Sequence, residues 1–205
     1  MLDFIRIACA VPAVRVGDTA KNAEDICAYI EKADGERADI VLFPELALTG
    51  YTCQDLFFQD TLWTGVQQGI RKIADCTKDH PGVTAAVGLP VRTGMRLYNC
   101  AAVISRGKIH ALVPKTYIPN YNEFYEKRWF SSGSEVTEDV AELLGEPVPI
   151  LPRAVFRVGG TLLGVEICED MWTPLPPSTF LALNGAEVIL NLSASNETIG
   201  KRAYR

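Results

Sequence analysis

Short apolar runs rich in Ile, Val, Leu and Ala punctuate this sequence, and what lies between them changes halfway along. Ile5 to Ala10 reads as a strand. Thr19 then caps a helix whose apolar positions Ala23, Ile26, Cys27, Ile30 and Ala33 recur at three and four residues. Ile40 to Phe43 is a continuous buried strand, Leu62, Val66, Ile70 and Ile73 mark a second helix, and Val83 to Val91 is another strand. Beyond that point hairpins replace helices. Two strands between Arg96 and Val113 meet at Arg106-Gly107, and two between Ala154 and Ile167 meet at Gly159-Gly160. A proline-rich turn follows Cys168, then a short helix around Ser178 to Asn184 and a last strand from Glu187 to Leu192. This order predicts an α/β fold with a mixed sheet, or a pair of sheets, and helices outside. Ser131 to Pro152 carries five acidic residues (Glu135, Glu138, Asp139, Glu142, Glu146) and reads as an exposed excursion.

With 205 residues the chain has the length of one domain, long enough to bury about 70% of its extended surface without disulfides or metals. Its 20 basic and 25 acidic residues leave a charge of −5, which argues against a nucleic-acid or anionic-membrane binder. The charge-free stretch from Met171 to Ala186 contains Pro174, Pro176 and Pro177 and is too short to cross a bilayer. The apolar run from Ile7 to Val14 lacks a basic leader and is broken by Pro12, so it reads as a strand rather than a signal core. Six cysteines (Cys9, Cys27, Cys53, Cys76, Cys100, Cys168) are scattered without C-x-x-C or a nearby His pair. That spacing suggests no metal site, and fits reduced thiols in a cytoplasmic protein, most of them small core residues.

The informative pattern lies at three strand ends. Val41-Leu42-Phe43-Pro44 leads to Glu45, Ala111-Leu112-Val113-Pro114 to Lys115, and Gly164-Val165-Glu166-Ile167 to Cys168. Strand C-terminal ends are where open α/β sheets place their sites. Together the three supply a base, a cation and a nucleophile, a complete set for acyl transfer. A free thiol is only about 3% ionised at pH 7, so activating it is worth at most roughly 30-fold, and a neighbouring base or cation must provide that. Lys115 can lower the thiol's proton affinity and hold an oxyanion, while Glu45 can take the thiol proton and hand it to a leaving amine. A cysteine–histidine pair is the rival arrangement. His80 lies in the turn Asp79-His80-Pro81-Gly82, and strand alternation puts His110 on the face opposite Lys115.

These three residues, with Phe43-Pro44-Glu45-Leu46, Val113-Pro114-Lys115-Thr116-Tyr117 and Val165-Glu166-Ile167-Cys168-Glu169-Asp170 around them, resemble the nitrilase or carbon-nitrogen hydrolase superfamily. Thr49-Gly50-Tyr51-Thr52, the segment from Pro119 to Glu126, and Asn191-Leu192-Ser193-Ala194-Ser195 are similar to the glutaminase domains of glutamine-dependent NAD synthetases within it. The resemblance implies an αββα sandwich in which Cys168 attacks the glutamine side-chain amide. Glu45 would serve as base and then acid, and Lys115 with the Glu169 backbone N–H would hold the oxyanion. It further implies that Glu123, eight residues after Lys115, positions the lysine and substrate. Tyr121, Phe124, Glu169, Ser195 and Lys201 would bind glutamine or line its pocket, the carboxylate of Glu169 facing the ammonium and Ser195 with Lys201 facing the carboxylate.

No cofactor or metal is expected in such a glutaminase domain; ATP and magnesium would belong to a synthetase domain that amidates nicotinic acid adenine dinucleotide. The loop of type S-G-G-x-x-S that such a domain carries is absent here. Gly200 to Arg205 reads as the beginning of a helix, so the chain is expected to be a C-terminally truncated part of a larger, homo-oligomeric enzyme whose synthetase domain is its partner. A free-standing small-amide hydrolase and a catalytically silent assembly domain stay open as alternatives.

Overall fold

The computed structural model describes residues 4–204. Its elements run β1 (Ile7–Cys9), α1 (Thr19–Gly35), β2 (Ile40–Leu42), α2 (Asp60–Asp79), β3 (Thr84–Thr93), β4 (Arg96–Ser105), β5 (Lys108–Pro114), β6 (Val140–Leu143), β7 (Glu146–Pro149), β8 (Val155–Val158), β9 (Thr161–Ile167), α3 (Pro177–Leu183), β10 (Val188–Leu192) and α4 (Lys201–Tyr204). Arg205, the last residue of the expected terminal helix, lies outside the described residues. Helix α1 starts one residue earlier in its capping than expected: the side chain of Asp18, not Thr19, accepts from the Lys21 backbone N–H, and Thr19 is buried as the first helical residue.

Strands β1 to β5 form one sheet in sequence order. The first three are parallel because a helix returns the chain between them, and the last three are antiparallel because hairpins do. Strands β10, β9 and β8 form a second sheet, with β10 parallel and β8 antiparallel to β9. Period-two alternation sorts the side chains of the first sheet into two cores. Val41, Ala85, Val87, Leu89, Ala102 and Ile104 face α1 and α2, where Ile26, Ile30, Val66, Ile70 and Ile73 close the layer. Ile40, Ala86, Ala101, Val103 and Val113 face the other way, onto Leu163, Val165, Ile167, Leu190 and Leu192 of the second sheet. Each fully buried aliphatic side chain here contributes about 1.5–3 kcal/mol by leaving water. Helix α3 covers the outer face of β9, and it reaches the sheet because Gly164 has no side chain: a Cβ there would lie 2.9 Å from the Cβ of Leu181. Helices, sheet, sheet and helix are the layers of the expected αββα sandwich.

Both predicted hairpins form, at Arg106-Gly107 and at Gly159-Gly160. The segment from Ser131 to Pro152 differs from expectation. It is not a bare excursion, because β6 and β7 pair across Leu144-Gly145, both of positive φ, and Leu112 bridges Ile150 beside β5. The acidic residues Glu142 and Glu146 point outward while Ala141, Leu143 and Val148 are buried, an alternation that the acidic composition hides. All six cysteines are free thiols, and Cys9 is exposed rather than in the core. Among the described residues no helix is long and apolar enough to cross a membrane.

Candidate active site

Glu45, Lys115 and Cys168 follow the C-terminal ends of β2, β5 and β9, and the two sheets bring those ends together. The chain after β2 turns so closely over β3 that Gly88 lies against it. A Cβ at Gly88 would come within 2.4 Å of both the Pro44 carbonyl oxygen and the Leu46 nitrogen. Leu46 takes a φ of 53° and Cys168 a φ of 45°. A non-glycine residue in this region carries about 1–3 kcal/mol of backbone strain, which persists only where the surroundings impose it.

Lys115 is fully buried, and its Nζ donates to Glu45 Oε1 at 2.7 Å and to both oxygens of Glu126 at 2.8 and 2.9 Å. Burial alone would lower its proton affinity, but the two carboxylates outweigh that and hold it above the usual lysine range. Glu126 moves upward as well, through burial and the charge of Glu45, against the opposing pull of Lys115. Tyr51 donates to Glu126 Oε1 at 2.8 Å. Glu45 also accepts from Asn99 Nδ2 at 2.7 Å on Oε1, and from the Ala194 backbone N–H at 3.1 Å on Oε2.

Cys168 is 8% exposed and accepts from Ser193 Oγ at 3.4 Å. Burial, followed by the charge of Glu45, pushes the thiol up to about 12, and Lys115 only partly offsets this. Lys115 thus pulls the thiol down, as expected of it, but burial and Glu45 outweigh that pull. A protonated thiol beside a carboxylate must lose its proton as it attacks.

The structure corrects the placement of the second glutamate. Glu123 is exposed and accepts from Asn196, whereas Glu126 grips Lys115. The loop after β5 is longer than an eight-residue count assumes, and its single turn of 3-10 helix at Glu126–Arg128 turns the first carboxylate inward. Both glutamates stand in the same acidic segment, so the sequence contained the right candidate three positions on. Tyr121 donates to both oxygens of Glu169 at 2.8 Å and packs edge-on against Phe124. Tyr121 and Glu169 border a cleft of about 680 Å³ whose walls include Thr116, Lys127 and Ser132. Lys201 Nζ donates to Ser195 Oγ at 2.5 Å and to Asn196. Asn99 has no local motif to mark it and reaches the site through the sheet register; Tyr51, Ser193, Ala194 and Asp170 stand inside the segments quoted above, but nothing in those segments gave them a role. His80 pairs with Asp34 at 3.0 Å, and His110 is exposed and bonded to Ser105, both apart from this cluster. Among the described residues no group of three or more His, Cys, Asp or Glu side chains is arranged to hold a metal ion.

The chain is 39% identical over 206 residues to a glutamine-dependent NAD(+) synthetase of Xylella fastidiosa, covering all of this chain and 34% of that protein. It is 36% identical to the corresponding synthetase of Mycobacterium leprae, covering 98% of this chain and 30% of the relative. It thus spans about a third of the length of the curated relatives that it matches. Among solved structures, the glutamine-dependent NAD+ synthetase of Acinetobacter baumannii superposes with a TM-score of 0.82 at 26% identity, over 98% of this chain and 34% of that one. A Nesterenkonia amidase from the nitrilase superfamily shares the fold with a TM-score of 0.77 at 20% identity, over 97% of this chain and 69% of that one. The Carbon-nitrogen hydrolase family matches residues 6–203. With that match spanning nearly the whole sequence, the chain belongs to the carbon-nitrogen hydrolase family.

Proposed function

We propose that the chain hydrolyses the side-chain amide of glutamine, and that the ammonia feeds an ATP- and magnesium-dependent amidation of nicotinic acid adenine dinucleotide in a synthetase domain of a longer, homo-oligomeric cytoplasmic enzyme. The observation that carries this reading is the buried Glu45–Lys115 pair, both of whose charges act on the buried Cys168 thiol, in a chain whose relatives are named as glutamine-dependent.

As the Cys168 sulfur bonds to the amide carbon, its proton passes to Glu45. The oxygen that gains charge is held by Lys115 Nζ and the Glu169 backbone N–H, an electrostatic contribution of the kind worth roughly 3–4 kcal/mol per donor. Glu45 returns the proton to nitrogen, the C–N bond breaks, and ammonia leaves a thioester on Cys168. Water then attacks the thioester carbon, giving its proton to Glu45. The C–S bond breaks, Glu45 reprotonates the sulfur, and glutamate departs. Glu126 keeps Lys115 charged and fixed. Glu169 with Tyr121 receives the substrate ammonium, Ser195 with Lys201 its carboxylate, and Phe124 its methylenes.

The test is ammonia release from glutamine by the protein and by Cys168→Ala. Release by the wild type that disappears in the variant supports the reading. Release from acetamide or propionamide but not from glutamine would move it to a small-amide hydrolase, and a folded protein with no Cys168-dependent release would end it.

A further inference from the structure

Asp170 is 1% exposed, takes no part in the reaction just described, and makes more backbone contacts than any group that does. Its Oδ2 accepts from the Ile167 N–H at 3.0 Å, and its Oδ1 accepts from Tyr117 N–H at 2.8 Å and Thr116 N–H at 3.1 Å. Ile167 is the residue before Cys168, and Thr116 the residue after Lys115. One side chain thus ties the turn that carries the nucleophile to the turn that carries the cation.

We propose that Asp170 is a positioning residue that holds the Cys168 and Lys115 turns in register, and that it does so only as a carboxylate, because both of its oxygens face N–H donors. A proton or an amide nitrogen on either oxygen would meet a donor instead of an acceptor, and one tether would open. The proposal rests on the assignment of Cys168 and Lys115 to the reaction.

The surroundings place this opening within reach of ordinary pH. Burial pushes the Asp170 carboxyl up to about 7, although the Tyr117 and Ile167 N–H groups and the charge of Lys115 favour its ionised form; Glu166 on β9 adds to the rise. The other titratable groups nearby are engaged elsewhere. Glu169 is turned to Tyr121, and the Tyr117 hydroxyl donates to the Leu175 carbonyl. Helix α3 contributes no charged side chain, and the N–H of its Ser178 donates to Glu166. The clamp is therefore closed above neutrality and loosens as Asp170 takes up a proton.

Amide hydrogen exchange on the wild type reads the clamp without any substrate. Corrected for intrinsic rates, protection of at least one of the Ile167 and Tyr117 amides falls as pH is lowered from about 8 to about 5.5, while that of β4 amides stays constant. In Asp170→Asn, which keeps one accepting oxygen, one of the two amides is weakly protected at every pH. The same variant loses roughly 10- to 100-fold in kcat for ammonia release, as displaced reacting groups do, with KM within about twofold because no substrate contact is removed. Unchanged protection across this pH range in the wild type overturns the proposal even if the variant fails to fold, and so does a folded Asp170→Asn with wild-type kcat. If the wild type releases no ammonia from glutamine, the substrate reading fails, while the exchange measurement still decides the role of Asp170.

Discussion

Lys115 Nζ lies within 2.9 Å of both carboxylate oxygens of Glu126, and neither side chain is more than 2% exposed. With Glu45 on its other side, the ammonium has a carboxylate at two of its faces, and the group that can approach from the remaining direction is the one whose charge develops during reaction.

This arrangement separates two glutamates that lie close in sequence. Removing Glu126 leaves a buried cation with one partner fewer, so Glu126→Ala costs about 3–5 kcal/mol in urea unfolding and lowers ammonia release. Glu123→Ala removes an exposed carboxylate whose partner is Asn196, and its unfolding free energy stays within about 0.5 kcal/mol of wild type. Equal losses in the two variants would contradict the assignment of Glu126.

Glu45 acts on Cys168 in two opposing ways, and its neutral isostere separates them. The charge of Glu45 is the second-largest cause, after burial, of the thiol standing at about 12. In Glu45→Gln that charge is gone and Lys115 remains, so the thiol moves down and more thiolate is present at about pH 8. Cys168 is then alkylated by iodoacetamide faster than in the wild type, followed by intact mass. Ammonia release drops roughly 100- to 10,000-fold, because the base that carries protons between sulfur, nitrogen and water is missing. A variant slower in both reactions would show that Glu45 does not hold the thiol protonated.

Much of this was legible in the sequence because the information is local. Periodicity in Ile26 to Ala33 and Leu62 to Ile73 marks α1 and α2, and the positive-φ pair Arg106-Gly107 marks a hairpin. Glu45, Lys115 and Cys168 stand out because each ends an apolar run. What stayed hidden is set by register between distant segments. Asn99 reaches Glu45 across 54 positions and Ala194 across 149, and no spacing rule connects them. Glu126 was missed for a different reason: a count of residues along a loop does not say which side chain the loop turns inward.

Gly88 supplies a test of how tightly the base is placed. The atoms that a Cβ would meet at 2.4 to 2.8 Å belong to the backbone of Pro44, Glu45 and Leu46, and no side-chain rotation relieves that contact. Gly88→Ala must therefore displace the Glu45 turn from β3. An overpacked site of this kind loses about 1–3 kcal/mol in urea unfolding. Because Glu45 moves with its turn, ammonia release falls by more than the folded fraction does. Wild-type activity in a folded Gly88→Ala would mean that the turn tolerates a shift and that Glu45 need not be held here.

Asp170 links stability to pH in the direction opposite to most carboxylates. An unfolded aspartate titrates near 4, whereas burial holds Asp170 at about 7 in the fold. Between those values the folded chain keeps a proton that the unfolded chain has released. The contribution is therefore fully present below about pH 4 and is lost as pH rises through about 7. Three units of difference set an upper bound of about 4 kcal/mol. Asp170→Asn has no such titration, so the unfolding free energy of wild type minus that of the variant declines by up to this amount from acid to about pH 8, all other groups cancelling. A difference that is flat, or that grows with pH, would show that the N–H donors of Ile167, Thr116 and Tyr117 outweigh burial and keep Asp170 ionised across the whole range.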